Sequence, residues 1–127
     1  MYENWSAKPR LLGMSLERKA ARYLRNRGLT LLCSNYSCKL GEIDLIMSHG
    51  ERQLVFVEVR FRRSDDFGSA LESVNAEKRR KLRLTARHFL QASQKFSRMN
   101  CRFDVIAVLA PAKGSKLQFQ WIKDAFH

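Results

Sequence analysis

Two apolar segments, residues 42–48 and 54–61, carry acidic side chains where a buried strand would have apolar ones, and this feature constrains the fold most. Both segments alternate with a period of two, which predicts β-strands. Asp44 lies in the first segment, and Glu58 lies in the second with Arg60 on the same face. A buried charge is costly unless it is paired, so we expect a cation beside these acids.

The alternation assigns every residue of the two strands to a face. The predicted faces are Ile43, Leu45 and Met47 against Glu42, Asp44 and Ile46 in the first strand, and Val55, Val57, Val59 and Phe61 against Leu54, Phe56, Glu58 and Arg60 in the second. Both acids therefore lie opposite the more apolar face of their strand. This placement predicts a polar cluster on one side of the sheet.

A five-residue loop, residues 49–53, would join the strands as a hairpin that pairs Ser48 with Leu54 and places Asp44 opposite Glu58. Two carboxylates about 4 Å apart repel by roughly 4 kcal/mol at an effective dielectric constant of 20. Two kinds of cation could relieve this repulsion. A hard Mg²⁺ or Mn²⁺ ion takes carboxylate and phosphate oxygens, whereas the Arg60 guanidinium could pair with a carboxylate directly. The residues alone leave both interpretations open.

The chain has 127 residues, which predicts one domain, residues 1–127, with a core over about residues 13–122. Its net charge of +12 indicates a polyanionic partner, nucleic acid first and an anionic membrane second. No apolar run approaches the roughly 20 residues of a membrane span, and the start does not resemble a signal peptide. We therefore expect a cytoplasmic protein without a membrane partner, with three reduced cysteines.

Helical spacing of apolar residues predicts a first helix over about residues 13–27 and a second from Ser73 or Asn75 to about Gln94. Glu17 lies at the margin of the first helix's apolar face, although a solvated glutamate is the alternative. The second helix begins with a dense basic stretch. The candidate nucleic-acid-binding residues are Lys78, Arg79, Arg80, Lys81 and Arg83 in this helix, together with Arg62 and Arg63. A basic face that is merely solvated is the alternative interpretation.

Further strands are predicted over residues 29–33, 101–109 and 117–122, and residues 62–68 form a polar loop. The predicted element order is αβββαββ. This order indicates an α/β fold with a mixed five-stranded sheet flanked by helices.

An acid on one strand, followed by Glu-x-Lys on the next and preceded by a helix with a glutamate, resembles the PD-(D/E)XK nuclease superfamily. More closely, the chain resembles the YraN family of small nuclease-like proteins, which is similar in its restriction-endonuclease-like fold to archaeal Holliday-junction resolvases. The matching positions are Gly13, Glu17, Ala20, Tyr23, Leu24, Asn35, residues 41–46, residues 56–59, Phe67, Gly68, Lys78 and residues 102–105.

The resemblance implies a metal-dependent endonuclease that hydrolyses phosphodiester bonds of DNA, in preference to RNA, at branched or single-stranded sites. It implies that Asp44, Glu58 and Glu17 hold Mg²⁺ or Mn²⁺, and that Arg60 takes the position of the catalytic lysine. By analogy with the dimeric junction-cutting nucleases, it also implies a homodimer.

The chain departs from this pattern at Arg60, because a guanidinium stays protonated and cannot act as a base. Lys78 is a candidate replacement, and its alternative role is a surface contact to phosphate. Ile43 replaces the proline that precedes the acid in the superfamily. An alternative function is therefore a non-catalytic nucleic-acid-binding protein on a nuclease fold, and a weaker third one is a module that binds an acidic protein.

Overall fold

The computed structural model describes residues 10–63, 70–110 and 116–127. Over these residues it contains two α-helices, five β-strands and one short 3₁₀ helix. In chain order these are α1 (Arg10–Arg25), β1 (Thr30–Cys38), β2 (Gly41–His49), β3 (Gln53–Arg63), α2 (Ala76–Ala92), the 3₁₀ helix Gln94–Phe96, β4 (Asn100–Ala110) and β5 (Gln118–Phe126). The predicted α/β class and the order αβββαββ are confirmed. Most of the predicted polar loop 62–68 lies outside the described residues.

The five strands form one sheet in the order β1-β2-β3-β4-β5. Strands β1 to β3 are joined as antiparallel hairpins, and β4 and β5 are also antiparallel. Strands β3 and β4 are parallel, and such a pair requires a crossover connection, which here contains α2. The sheet is therefore mixed, as predicted, with β3 at its centre.

The core consists of two apolar clusters, one on each face of the sheet. The α1 face contains Leu16, Ala20 and Leu24 of the helix together with Leu45, Met47, Val55, Val57, Val59, Ile106 and Val108 of the strands. The α2 face contains Leu82, Ala86 and Phe89 of the helix together with Ile43, Ile46, Leu54, Phe56 and Val105 of the strands. Because the side chains of β3 alternate, Glu58 and Arg60 share the α2 face with Phe56.

Strand β2 departs from the predicted alternation. Ile43 packs with Ile46 in the α2-side cluster, whereas Leu45 packs in the α1-side cluster, so the predicted common face of Ile43 and Leu45 was wrong. The β1–β2 hairpin is irregular: Asn35 has φ 55° and the register shifts between Leu31 and Cys33. A bent hairpin changes which side chains face each helix, and a period-two pattern contains no sign of it.

Element ends also differ from the prediction. Strand β1 runs to Cys38 and pairs with β2 down to Gly41, whereas the sequence indicated a strand ending near Cys33. Its outer half consists mainly of polar residues because β1 is an edge strand, and the apolar pattern therefore stops early. Among the described residues no helix is long and apolar enough to cross a membrane.

Asp104 of β4 organises the last two strands. Its fully buried carboxylate accepts hydrogen bonds from Arg102 Nε at 3.0 Å, Trp121 Nε1 at 2.8 Å and the backbone N–H of Asp124 at 2.9 Å. Asp124 has φ 50°, and the β4–β5 register shifts between Phe103 and Val105. The carboxylate therefore holds a bulged strand in place by satisfying its donors.

Replacing Asp104 with alanine should lower the free energy of unfolding by about 3 kcal/mol, because a half-buried guanidinium and two further donors lose their acceptor. Urea denaturation monitored by tryptophan fluorescence measures the change. Asp124→Asn is the matched control, since asparagine tolerates positive φ and the residue is exposed. Equal stabilities of the two variants would contradict this assignment.

Candidate functional site

Glu58 lies at the centre of a charged cluster between β3 and α2. Its Oε2 atom is 2.9 Å from Arg60 Nη2 and 3.7 Å from Lys78 Nζ. The Glu58 and Arg60 side chains are 6% and 8% exposed, whereas that of Lys78 is 34% exposed. The acid expected to need a cation therefore has two, one within the sheet and one at the solvent boundary.

The start of α2 places Lys78 in this cluster. Asn75 caps the helix, as predicted, because its Oδ1 accepts a hydrogen bond of 2.9 Å from the backbone N–H of Lys78. Lys78 is thereby fixed in the first turn, where the partial positive charge of the helix N-terminus also favours a nearby carboxylate. Gly41, with φ 152°, lets β2 approach α2 closely: a Cβ atom there would lie 3.0 Å from Thr85 Oγ1.

Asp44 lies next to this cluster on β2. The predicted hairpin register is confirmed from Ser48 paired with Leu54 to Leu45 paired with Val57, but the ladder ends there, one pair short of Asp44 and Glu58. Instead, Asp44 Oδ2 accepts a hydrogen bond of 2.8 Å from the backbone N–H of Val59. The half-buried Asp44 carboxylate therefore reaches across to the β3 backbone, directly after Glu58.

Glu17 lies on α1, the helix that covers the other face of the sheet. It is 7% exposed, so the alternative of a solvated glutamate was wrong. Across residues 10–63, 70–110 and 116–127, no three histidine, cysteine, aspartate or glutamate side chains come together in a group that could hold a metal ion. The structure therefore does not assemble Glu17, Asp44 and Glu58 as one set of metal ligands.

Asp44 and Glu58 fit a divalent cation better as a pair. Mg²⁺ is commonly bound through one or two carboxylates plus substrate phosphates, and it keeps several waters. The Asp44 carboxylate, which accepts from the Val59 N–H, and the Glu58 carboxylate, which is paired with Arg60, could supply such oxygens from β2 and β3. The metal-binding role of these residues stays a prediction.

Most of the predicted nucleic-acid-binding cations of α2 make contacts within the protein. Arg79 Nε donates to the Val74 carbonyl at 2.7 Å, and Arg83 Nη1 donates to the His127 carbonyl at 3.0 Å. Arg80 donates two hydrogen bonds to Glu77, and these bonds lower the pKa of that carboxyl. These surface contacts hold the guanidinium groups along the helix.

The other predicted cations lie in three different surroundings. Lys81 is exposed on α2, whereas Arg62 is half-buried near the end of β3. The side chain of Arg63 lies outside the described residues, as do Phe67 and Gly68 of the family pattern. Arg80, Lys81 and Arg83 are exposed on α2, and the nucleic-acid-binding role of these cations stays a prediction.

Tyr36 and His88 form a polar pair that the sequence pattern does not predict. Tyr36 Oη of β1 lies 2.5 Å from His88 Nδ1 of α2, and the Tyr36 ring also contacts Phe89 edge-on. Desolvation, followed by the nearby thiols of Cys38 and Cys33, raises the pKa of Tyr36. Because the two partners are 52 positions apart, only the packing of α2 on the sheet brings them together.

Comparison with known proteins identifies the family. A profile described as "Uncharacterised protein family UPF0102" matches residues 16–108. The chain is 48% identical to a UPF0102 protein of Saccharophagus degradans over 94% of its own length and 96% of that protein. It is 44% identical to a UPF0102 protein of Pelotomaculum thermopropionicum over 92% of its own length and 96% of that protein. The chain therefore belongs to the UPF0102 family, the YraN family that its motifs predicted.

Proposed function

We propose that the protein is a nuclease that hydrolyses phosphodiester bonds of DNA at the cluster formed by Asp44, Glu58, Arg60 and Lys78. One observation carries the proposal: a single oxygen of the buried Glu58 carboxylate lies between Arg60 Nη2 at 2.9 Å and Lys78 Nζ at 3.7 Å. Phosphodiester chemistry needs this combination of anionic and cationic groups, since water must be activated and the phosphate charge must be stabilised.

The energetics of the cluster support a functional role. A buried ion pair contributes little to stability, because desolvation offsets most of the attraction between the charges. Replacing a buried ion pair with apolar residues of similar volume often leaves the free energy of unfolding unchanged or raises it. A functional role therefore explains these buried charged groups better than a stabilising one. The Lys78 side chain, which is 34% exposed, connects Glu58 with solvent.

The residues divide into two chemical roles. Lys78 and Arg60 supply donors that can transfer from Glu58 to the oxygens of an incoming phosphate, as cationic side chains do in other phosphoryl-transfer sites. Glu58 and Asp44 supply carboxylate oxygens that can accept the proton of an attacking water. The hydrogen bond from Val59 N–H orients the Asp44 carboxylate for this role.

Asp44 and Glu58 are also the two residues that would hold a divalent cation. A bound Mg²⁺ or Mn²⁺ would supply a lower pKa for water and neutralise phosphate charge. With Asp44 and Glu58 holding such an ion, Lys78 and Arg60 would be available to the oxygens of the substrate phosphate.

Lys78 supplies what Arg60 lacks. An ammonium group can give up a proton, whereas a guanidinium is protonated at any working pH. Lys78 and Arg60 contact the same Glu58 oxygen. Lys78 therefore takes the role of the lysine that the family pattern has at position 60. Arg60 then serves as a fixed positive charge.

A non-catalytic nucleic-acid-binding protein is the second candidate, and the Arg60–Glu58 pair favours it. This pair is short and buried, so Glu58 is neutralised without any metal ion. On this alternative the +12 net charge serves binding alone.

The Asp44→Asn and Glu58→Gln variants should each cut single-stranded, branched and duplex DNA at least about 100-fold more slowly than the wild type, since each loses an anionic oxygen needed at the reacting phosphate. The assay uses Mg²⁺ or Mn²⁺, and EDTA should abolish cleavage. Glu77→Gln is the matched control, because this glutamate contacts only Arg80 on the α2 surface among the described residues. A wild type that binds DNA but cleaves none of these substrates would favour the second candidate.

Lys78→Arg should retain DNA binding but shift the pH profile of cleavage. Lys78→Met should weaken DNA binding and slow cleavage. The arginine variant keeps the charge beside Glu58 and removes the group that can exchange a proton. Rates measured across pH separate the two roles. If Lys78→Arg cleaves with the wild-type rate and pH profile, Lys78 acts only as a charge.

A further inference from the structure

The outer face of α1 carries three exposed arginines. Arg18, Arg22 and Arg25 are all exposed. In the part of the chain that the structure describes, none of the three makes a hydrogen bond or an ion pair, whereas Arg79, Arg80 and Arg83 of α2 each do. The only acid of α1 is Glu17, which is buried.

The spacing of these arginines forms a continuous stripe. Positions i, i+4 and i+7 lie on one face of an α-helix, and they span about 10 Å along its axis. In a strand stacked as in B-DNA the phosphates advance about 3.4 Å each, so the stripe covers about three phosphates of such a strand. Arginine contacts phosphate through paired N–H donors, which makes it the suitable residue for such a surface.

A cleft next to the stripe adds a second feature. It has a volume of about 230 Å³ and lies between α1 and the edge strand β1. Its lining residues are Met14, Glu17, Arg18, Ala21, Arg25, Leu31, Ser34 and Asn35. Two of the three stripe arginines therefore border it.

The chemistry of this cleft suits a base rather than a phosphate. Met14 and Leu31 offer apolar contact to a base, and Asn35 offers an amide that can hydrogen-bond to its edge. The cleft is smaller than the roughly 300–1,000 Å³ that drug-sized ligands occupy, which fits one unit of a polymer. A base can enter only if it is unpaired and unstacked.

We infer that Arg18, Arg22 and Arg25, together with the α1–β1 cleft, bind single-stranded nucleic acid, with phosphates on the arginines and one unstacked base in the cleft. This inference rests on the proposed function, because it names the substrate class that the Asp44–Glu58 cluster would act on. The strand would lie against α1, on the face of the sheet opposite α2.

The first test compares two triple variants that remove the same charge. The α1 variant is Arg18→Ala, Arg22→Ala and Arg25→Ala, and the control is Lys39→Ala, Arg52→Ala and Arg98→Ala, which removes three exposed cations from other elements. Fluorescence anisotropy of a labelled single-stranded oligonucleotide in EDTA reports binding without cleavage. Circular dichroism confirms that both variants are folded, and alanine favours the helix.

The α1 variant should bind at least about tenfold more weakly than the control, and the slope of log K against log salt should fall by about 2, because each phosphate contact on a single strand contributes about 0.7. Binding of duplex DNA should change less than binding of the single strand. Equal single-strand affinities of the two triple variants, or an equal loss for duplex and single strand, would overturn the inference.

The second test locates the base. Photo-crosslinking with a strand that contains 5-iodouracil should modify peptides that include Met14 or Leu31, and adducts confined to α2 would contradict the cleft assignment. Neither test needs catalysis. If the wild type does not cleave DNA but its binding depends on the α1 arginines, only the proposed function is refuted. If the α1 variant cleaves as fast as the wild type, only this inference is refuted.

Discussion

A carboxylate buried on the central strand requires a positive charge close by, and the arrangement of the α2 face depends on this requirement. Glu58 of β3 meets it through Arg60 on the same strand and through Lys78 at the start of α2. The second contact ties the helix to the sheet at one defined point. Together with the Asn75 cap and the close approach at Gly41, it fixes where α2 begins relative to β2 and β3.

The cations on the two faces of the sheet lie in different surroundings. On the α2 face, Lys78 pairs with the buried Glu58 carboxylate, and Arg79 and Arg83 donate hydrogen bonds to backbone carbonyls. On the α1 face, the exposed arginines make no hydrogen bond or ion pair with another described residue, and they lie beside a cleft at the sheet edge. A chain of net charge +12 thus uses its cations in two ways, one for a compact centre and one for an open surface.

A second buried carboxylate shows that acids in this fold do not all have the same role. Asp104 accepts hydrogen bonds from Arg102, Trp121 and the Asp124 backbone, and it is fully buried. Every one of these donors belongs to β4 or β5, and together they satisfy the Asp104 carboxylate within those two strands. The contrast explains why Glu58 is the candidate for chemistry and Asp104 is the holder of a bulged strand.

The sequence by itself determined the α/β class, the element order, the hairpin register from Leu45 to Ser48 and the presence of a cation beside Glu58. Each of these follows from local periodicity or from charges a few residues apart. The bend at Asn35, the face of Ile43 and the end of the ladder before Asp44 depend on how the hairpin curves, which no local pattern encodes.

Only the tertiary structure decided which distant side chains meet. Lys78 reaches Glu58, and Tyr36 reaches His88, because α2 packs on the sheet after a crossover that brings residues far apart in sequence together. The same packing placed Glu17 within a cleft on the opposite side and left the α1 arginines exposed. Charge composition indicated a polyanionic partner, but the distribution of that charge between two faces is a property of the folded chain.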